Sequence, residues 1–286
     1  MTTQPTPDLL PPETHVGRTA LRVNDLDELT GFYRDVVGLS VLHRADTRSV
    51  LGVEDTPLLV LEGDADALGR HRSGAGLFHN AFRVPSRQAL GDALARIRDR
   101  WQLGGASDHG VSEALYLTDP EGNGIEIYRD YPREYWPRTD TGRIRMGTYS
   151  LDFAPLEAAA AGDSGLPAGT DVGHVHLEVS SLEAFDDFYV DTIGFEVQTE
   201  APAALFVGAG GYHHHLGANT WNHRTGPVSG RGLSWFEVLV PDDESLEAVR
   251  KRLVASDFPS TETDDGFVVH DPDEIEVRIR VDPSKQ

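Results

Sequence analysis

Residues 23–38 read VNDLDELTGFYRDVVG, and residues 179–194 read VSSLEAFDDFYVDTIG. Val23, Leu26, Phe32, Tyr33, Asp35 and Gly38 return as Val179, Leu182, Phe188, Tyr189, Asp191 and Gly194, each shifted by 156. A constant shift of this kind marks an internal duplication. The same shift carries Gly76-Leu77 onto Gly232-Leu233 and Val84-Pro85 onto Val240-Pro241, and the Asp-Pro turn at Asp119 returns at Asp271 after a four-residue contraction.

Each half divides once more. Strand-like runs at 15–23, 77–84, 174–179 and 232–240 each precede a helical stretch opened by Asn, Asp or Ser, at 25–37, 86–100, 181–193 and 242–255. Alternating or apolar runs broken by Gly, Pro and Asp follow each helix. The chain therefore predicts an α+β fold of four βαβββ modules. The expected organisation is a flexible N-terminal tail at 1–13, a first domain at 14–145 holding modules one and two, a linker at 146–170, and a second domain at 171–286 holding modules three and four. The linker is rich in Ala, Gly and Pro, and its LEAAAA stretch is able to form a short helix.

Composition excludes several classes of function. The 286 residues contain no cysteine, which removes thiol catalysis, disulfides and thiolate metal sites. The net charge is −22, and Lys251 and Lys285 are the only lysines, a balance that argues against nucleic acid and anionic membranes as partners. An acidic surface of this kind is ordinary solvation, or an adaptation to a salty cytoplasm where the Debye length is about 3 Å at 1 M. Neither an apolar membrane span nor a signal peptide is visible, so a cytoplasmic location is expected.

The duplicated copies disagree at informative places. His79 in GLFHNAFRVP stands where the fourth module has Trp235, and His174 in VGHVHLEV stands where the first module has Arg18. Strand alternation puts His174, His176 and Glu178 on one face, opposite Val175, Leu177 and Val179. Glu126 in DPEGNGIEIY likewise sits with Gly124 and Tyr128, opposite Ile125 and Ile127. A single strand histidine or glutamate is ordinarily structural. Two histidines at equivalent strand positions together with one carboxylate are more specific, and the polar face is expected to line a cavity.

With these residues in view, the chain resembles the vicinal oxygen chelate superfamily, and within it the extradiol catechol 2,3-dioxygenases, over roughly residues 15–280. The resemblance implies that the modules pair into two cup-shaped half-barrel sheets with helices outside. It also implies a divalent metal held by His79, Glu126 and His174. Beyond the shared DPxGNxIE motif, Tyr116 stands ten positions before Glu126, His109-Gly110 precedes it, and GYHHHLGANT of the third module supplies His214. In the family these imply an acid/base histidine, a tyrosine that hydrogen-bonds the substrate, and a histidine that stabilises developing charge. His214 is the family match, with His215 the second choice among His213, His214 and His215.

Better-known two-domain relatives carry all their ligands in the C-terminal half. Here they fall in modules two and three, which must then share a cup, within one chain or across a dimer. The implied cofactor is Fe(II), with Mn(II) acceptable to the same ligands, and the implied substrates are a small aromatic diol and O2. A homo-oligomer is also expected. The competing readings are a glyoxalase-I-like metal-dependent isomerase and a metal-free small-molecule binding protein. Phe206, Trp221 and Phe236 are candidates for the pocket, though aromatic residues beside strands are more often core.

Overall fold

The structure, a computed structural model, describes residues 9–256 and 258–285. Module one contributes strands β1 (His15–Val23), β2 (Ser40–Ala45), β3 (Arg48–Val53) and β4 (Thr56–Gly63). Module two contributes β5 (Gly76–Arg83), β6 (Gly105–Asp108), β7 (Ser112–Thr118) and β8 (Gly124–Asp130). Module three follows with β9 (Asp171–Glu178), β10 (Glu196–Ala201), β11 (Ala204–Gly208) and β12 (Leu216–Asn219), and module four with β13 (Gly232–Val240), β14 (Ser260–Thr263), β15 (Gly266–His270) and β16 (Glu276–Val281). The helices are α1 (Leu26–Phe32), α2 (Arg87–Arg100), α3 (Phe153–Ala159), α4 (Leu182–Asp186) and α5 (Asp243–Ala255). No helix among the described residues is long and apolar enough to cross a membrane.

The strands form two eight-stranded sheets, ordered β14-β15-β16-β13-β1-β4-β3-β2 and β10-β11-β12-β9-β5-β8-β7-β6. Modules one and four share the first sheet, and modules two and three share the second, within one chain. At the centre of each, the opening strands of two modules pair antiparallel, β1 with β13 and β5 with β9. Each sheet thus draws on both halves of the duplication. Asn80 on β5 reaches across to Thr19 on β1 at 2.7 Å, joining the two sheets through buried polar groups.

The duplicated stretch explains how successive modules are tied. Asp25 caps α1 by accepting from the Glu28 amide at 2.8 Å. Sequence periodicity predicts one helix through residue 37, but after Phe32 the backbone widens into a π-turn over Tyr33–Val37. In module three the same widening spans Asp187–Ile193. Gly38 at φ 94° and Gly194 at φ 102° close these turns in a conformation that strains any residue bearing a Cβ.

The widened turns aim two buried phenols at the two Asp-Pro turns. Tyr33 donates to Asp119 at 3.1 Å, and Tyr189 donates to Asp271 at 3.0 Å. Arg96 on α2 and Arg252 on α5 donate to the backbone carbonyls that the widening frees, Val36 and Val37 in one copy, Thr192 and Ile193 in the other. Conserving these contacts through the repeat keeps each module's helix against the next module's strands.

Val175, Leu177 and Val179 enter the core with Phe185, Phe188 and Tyr189, as alternation predicts. Of the tail expected over 1–13, residues 1–8 lie outside the described residues; Leu10 is buried, and its amide donates to the Gly194 carbonyl at 2.8 Å. The LEAAAA stretch lies largely within α3, whose buried Leu156 approaches Gly91 of α2 so closely that a Cβ there would meet the Leu156 carbonyl.

Candidate metal centre and active-site cavity

Strand register brings three distant residues to one point. In β5, Ala81 pairs with His174 of β9 on one side and with Glu126 of β8 on the other, while His79 lies two residues back on the same face. His79 Nε2 lies 2.9 Å from Glu126 Oε2, His174 Nε2 lies 3.1 Å from the same oxygen, and the two ring nitrogens are 3.2 Å apart. All three residues are buried, and one donor atom from each lies within 4.8 Å of the others.

Burial alone would raise the Glu126 carboxyl, but the facing His174 and His79 hold it well below the usual carboxylate range. Burial pushes His174 down to about 4, so its ring is a neutral lone-pair donor at physiological pH. A buried carboxylate beside the neutral His174 ring calls for a compensating cation. The donor set, two imidazole nitrogens and one carboxylate oxygen converging on a point, fits a divalent metal that accepts nitrogen and oxygen ligands. His79, Glu126 and His174 could hold such an ion.

The triad lies in the wall of a cavity of about 510 Å³. Tyr116, opposite Glu126 across the β7–β8 ladder, lines it together with His109 and His214. His109 Nδ1 donates to the Gly147 carbonyl at 2.6 Å, which leaves Nε2 to accept the Tyr116 hydroxyl at 2.6 Å. Burial and then the Glu126 charge push the Tyr116 phenol up, so it remains a protonated donor. All six sequence-derived site residues therefore face one cavity.

The three consecutive histidines part company. They occupy an irregular segment between β11 and β12 rather than a strand, so strict alternation does not apply to them. His214 faces the cavity, its ring centroid 4.1 Å from that of His174. His213 turns to Asp130, and His215 Nδ1 accepts from the Ala209 amide at 3.1 Å beneath Tyr212.

Other wall residues were only partly legible. Phe206 and Trp221 line the cavity, Trp221 being 48% exposed at its mouth, whereas Phe236 is fully buried in the core. His176, on the predicted polar face, also lines it and accepts from Asn219 at 3.1 Å. Glu178 on that face turns instead to Arg70 and Arg224. Met146, Gly147 and Thr148 of the expected linker complete the wall, held by pairing between Asp108 and Tyr149. No local pattern marks them, because a chain segment of no regular period reaches the site only through the fold.

The other cup shows what happens where the triad is absent. Arg18 takes the place of His174, Trp235 of His79, and, by strand register, Arg278 of Glu126. The Arg278 guanidinium stacks 3.8 Å from the Trp235 ring centroid and that of Arg18 lies 5.7 Å away. Glu237 accepts from Arg18 at 2.5 Å and faces Arg280 at 3.2 Å. Fixed guanidinium charges occupy the place where the second cup gathers His79, Glu126 and His174.

Known proteins share this architecture. The profile of the Glyoxalase/Bleomycin resistance protein/Dioxygenase superfamily matches residues 15–127. The chain is 40% identical over 269 residues to a catechol-2,3-dioxygenase of Bacillus subtilis (strain 168), spanning 91% of this chain and 94% of that protein. It is 30% identical over 156 residues to biphenyl-2,3-diol 1,2-dioxygenase 3 of Rhodococcus globerulus, spanning 51% of this chain and 81% of that protein. Glyoxalase I from Zea mays, at 15% identity, superposes with a TM-score of 0.56 over 94% of this chain and 92% of its own, a likeness of fold. Paired βαβββ modules and a near full-length relative at this identity make the chain a member of the Glyoxalase/Bleomycin resistance protein/Dioxygenase superfamily.

Proposed function

We propose that the protein is an extradiol ring-cleaving dioxygenase, opening catechol or a substituted catechol with O2 at a nonheme Fe(II) held by His79, Glu126 and His174. The observation that carries this reading is the convergence of those three donors in one cavity wall with His214, Tyr116 and His109 beside them. The names of the relatives with which the chain shares 40% and 30% identity point the same way. When bound, the ion would supply adjacent open positions for vicinal oxygens and for O2.

The chain's own residues do the remainder. His214, neutral because burial and then the neighbouring histidines lower it, accepts a proton from the entering diol and later returns one. The Tyr116 hydroxyl, oriented by His109 Nε2, hydrogen-bonds a diol oxygen. Phe78, Phe206 and Trp221 shield the ring from water and grip its faces. Apart from Glu126, no Asp, Glu, Lys or Arg lines the cavity among the described residues, which suits a diol whose substituents are uncharged. Ring opening beside one hydroxyl would yield a 2-hydroxymuconic semialdehyde.

Anaerobic purification followed by metal analysis, with O2 uptake and yellowing of catechol measured together, tests the proposal. Stoichiometric iron and O2-dependent yellowing are expected. Metal-loaded protein that leaves a panel of catechols unchanged would overturn it. Mn(II) accepts the same donors, and reconstitution with each metal separately decides which ion supports turnover.

A further inference from the structure

We infer that His213 and Asp130 form a positioning dyad that sets the tautomer of His214, presenting its Nε2 to the cavity as a lone-pair base. This rests on the reading of His214 as the proton acceptor, but the hydrogen bonds that carry it are independent of the metal. Asp130 lies on the same strand and the same face as Glu126, four residues further along β8. Its Oδ1 is 2.9 Å from His213 Nε2, and His213 Nδ1 is 2.7 Å from His214 Nδ1. His213 is 1% exposed, its ring packed against Tyr212 and Trp136.

The proton positions follow from what each group is able to do. Asp130 is ion-paired with Arg83, so its carboxylate acts as an acceptor. Tyr212 and Arg83 already donate to its Oδ2, at 3.0 and 3.2 Å. His213 must therefore carry its proton on Nε2. With its proton on Nε2, His213 presents the lone pair of Nδ1, and the 2.7 Å contact is then a bond donated by His214 Nδ1–H. The remaining nitrogen of His214, Nε2, has no hydrogen-bond partner among the described residues, and the ring lines the cavity.

When His214 Nε2 takes a proton from the diol, the imidazolium holds N–H bonds at both nitrogens and its charge is stabilised through His213 toward Asp130. No proton needs to reach Asp130. This is the orienting logic of an acid/base histidine whose far nitrogen is held by a partner, here with one imidazole interposed.

Nitrogen-15 NMR of histidine-labelled, metal-free protein reads the tautomers directly. The expected spectrum shows His214 protonated at Nδ1 alone and His213 at Nε2 alone. A proton on His214 Nε2 with a bare Nδ1, as a His213 imidazolium would impose, overturns the inference. In the metal-loaded enzyme, His213→Leu should lower kcat at least roughly 100-fold, the scale of losing a positioned proton-transfer group, with KM and metal content little changed. His213→Asn, whose carbonyl replaces the Nδ1 acceptor, should recover at least about tenfold of that loss. Equal losses in the two variants, or none in His213→Leu, would also overturn it. Wild-type protein inert toward every catechol would sink the ring-cleavage reading alone, since the spectrum still decides the tautomer, as it does if His213→Leu fails to fold.

Discussion

Glu126 sets one buried oxygen against the ring nitrogens of His79 and His174, at 2.9 and 3.1 Å, a donor set that suits a cation. Removing a ligand should therefore act on the metal before anything else. Glu126→Gln and His79→Ala are each expected to weaken metal binding by more than the roughly 10–100-fold that accompanies loss of a ligand's supporting partner. Metal analysis after dialysis checks this, and stoichiometric metal in either variant would remove that residue from the ligand set. His214→Phe should behave differently: metal retained, catechol still bound, and turnover at least about 100-fold slower. Parallel metal analysis and O2 uptake separate the outcomes, because loss of metal in this variant would make His214 a ligand. The shared face of the triad was legible from residue identity and strand parity, since on a strand every second side chain faces the same way, whereas His214 was expected from the family resemblance alone. His213 and Asp130 were not, because an irregular segment has no parity and Asp130 lies 83 residues away in the chain.

Between elements, the second sheet is held to α2 by a charge cluster that should register in acid stability. Glu113 on β7 is almost fully buried and accepts from Arg87 at the start of α2, at 2.5 and 3.0 Å, and from Arg129 on β8 at 2.6 Å. Burial would raise the carboxyl, but the two arginines outweigh it and hold it below its ordinary 4.5. A depressed folded-state pKa means that stability is present above about pH 4.5 and is lost as pH falls through the lower folded value. Glu113→Gln should cost about 1–3 kcal/mol near neutrality, the scale of a charged hydrogen-bonded partner. It should also flatten the acid side of the stability profile. Urea melts at pH 7 and pH 4 check both statements, and an unchanged difference between the two pH values would show that Glu113 does not carry that dependence.

In the whole molecule, the two cups answer the same duplication in opposite ways, one gathering His79, Glu126 and His174 and the other filling the corresponding place with Arg18, Trp235 and Arg278. Metal loading is accordingly expected to saturate at one ion per chain. Trp235→Ala, which empties a buried indole, should destabilise by about 3–5 kcal/mol while leaving that stoichiometry unchanged. Calorimetry beside metal analysis decides it, and a second ion bound by the wild type would contradict the assignment of roles. The sequence by itself determined the modules, because the two halves of the chain repeat the same short-range signals of capped helix, Gly closure and Asp-Pro turn. It also determined the polar faces, because strand alternation is a local property. Only the tertiary structure decided that module two joins module three within the chain and that His214 faces inward while its neighbours turn away. The same holds for Met146, Gly147 and Thr148 of the expected linker, which close the cavity wall. These depend on register between segments far apart in the chain, where the contacts of the assembled sheets, and no local preference, set the outcome.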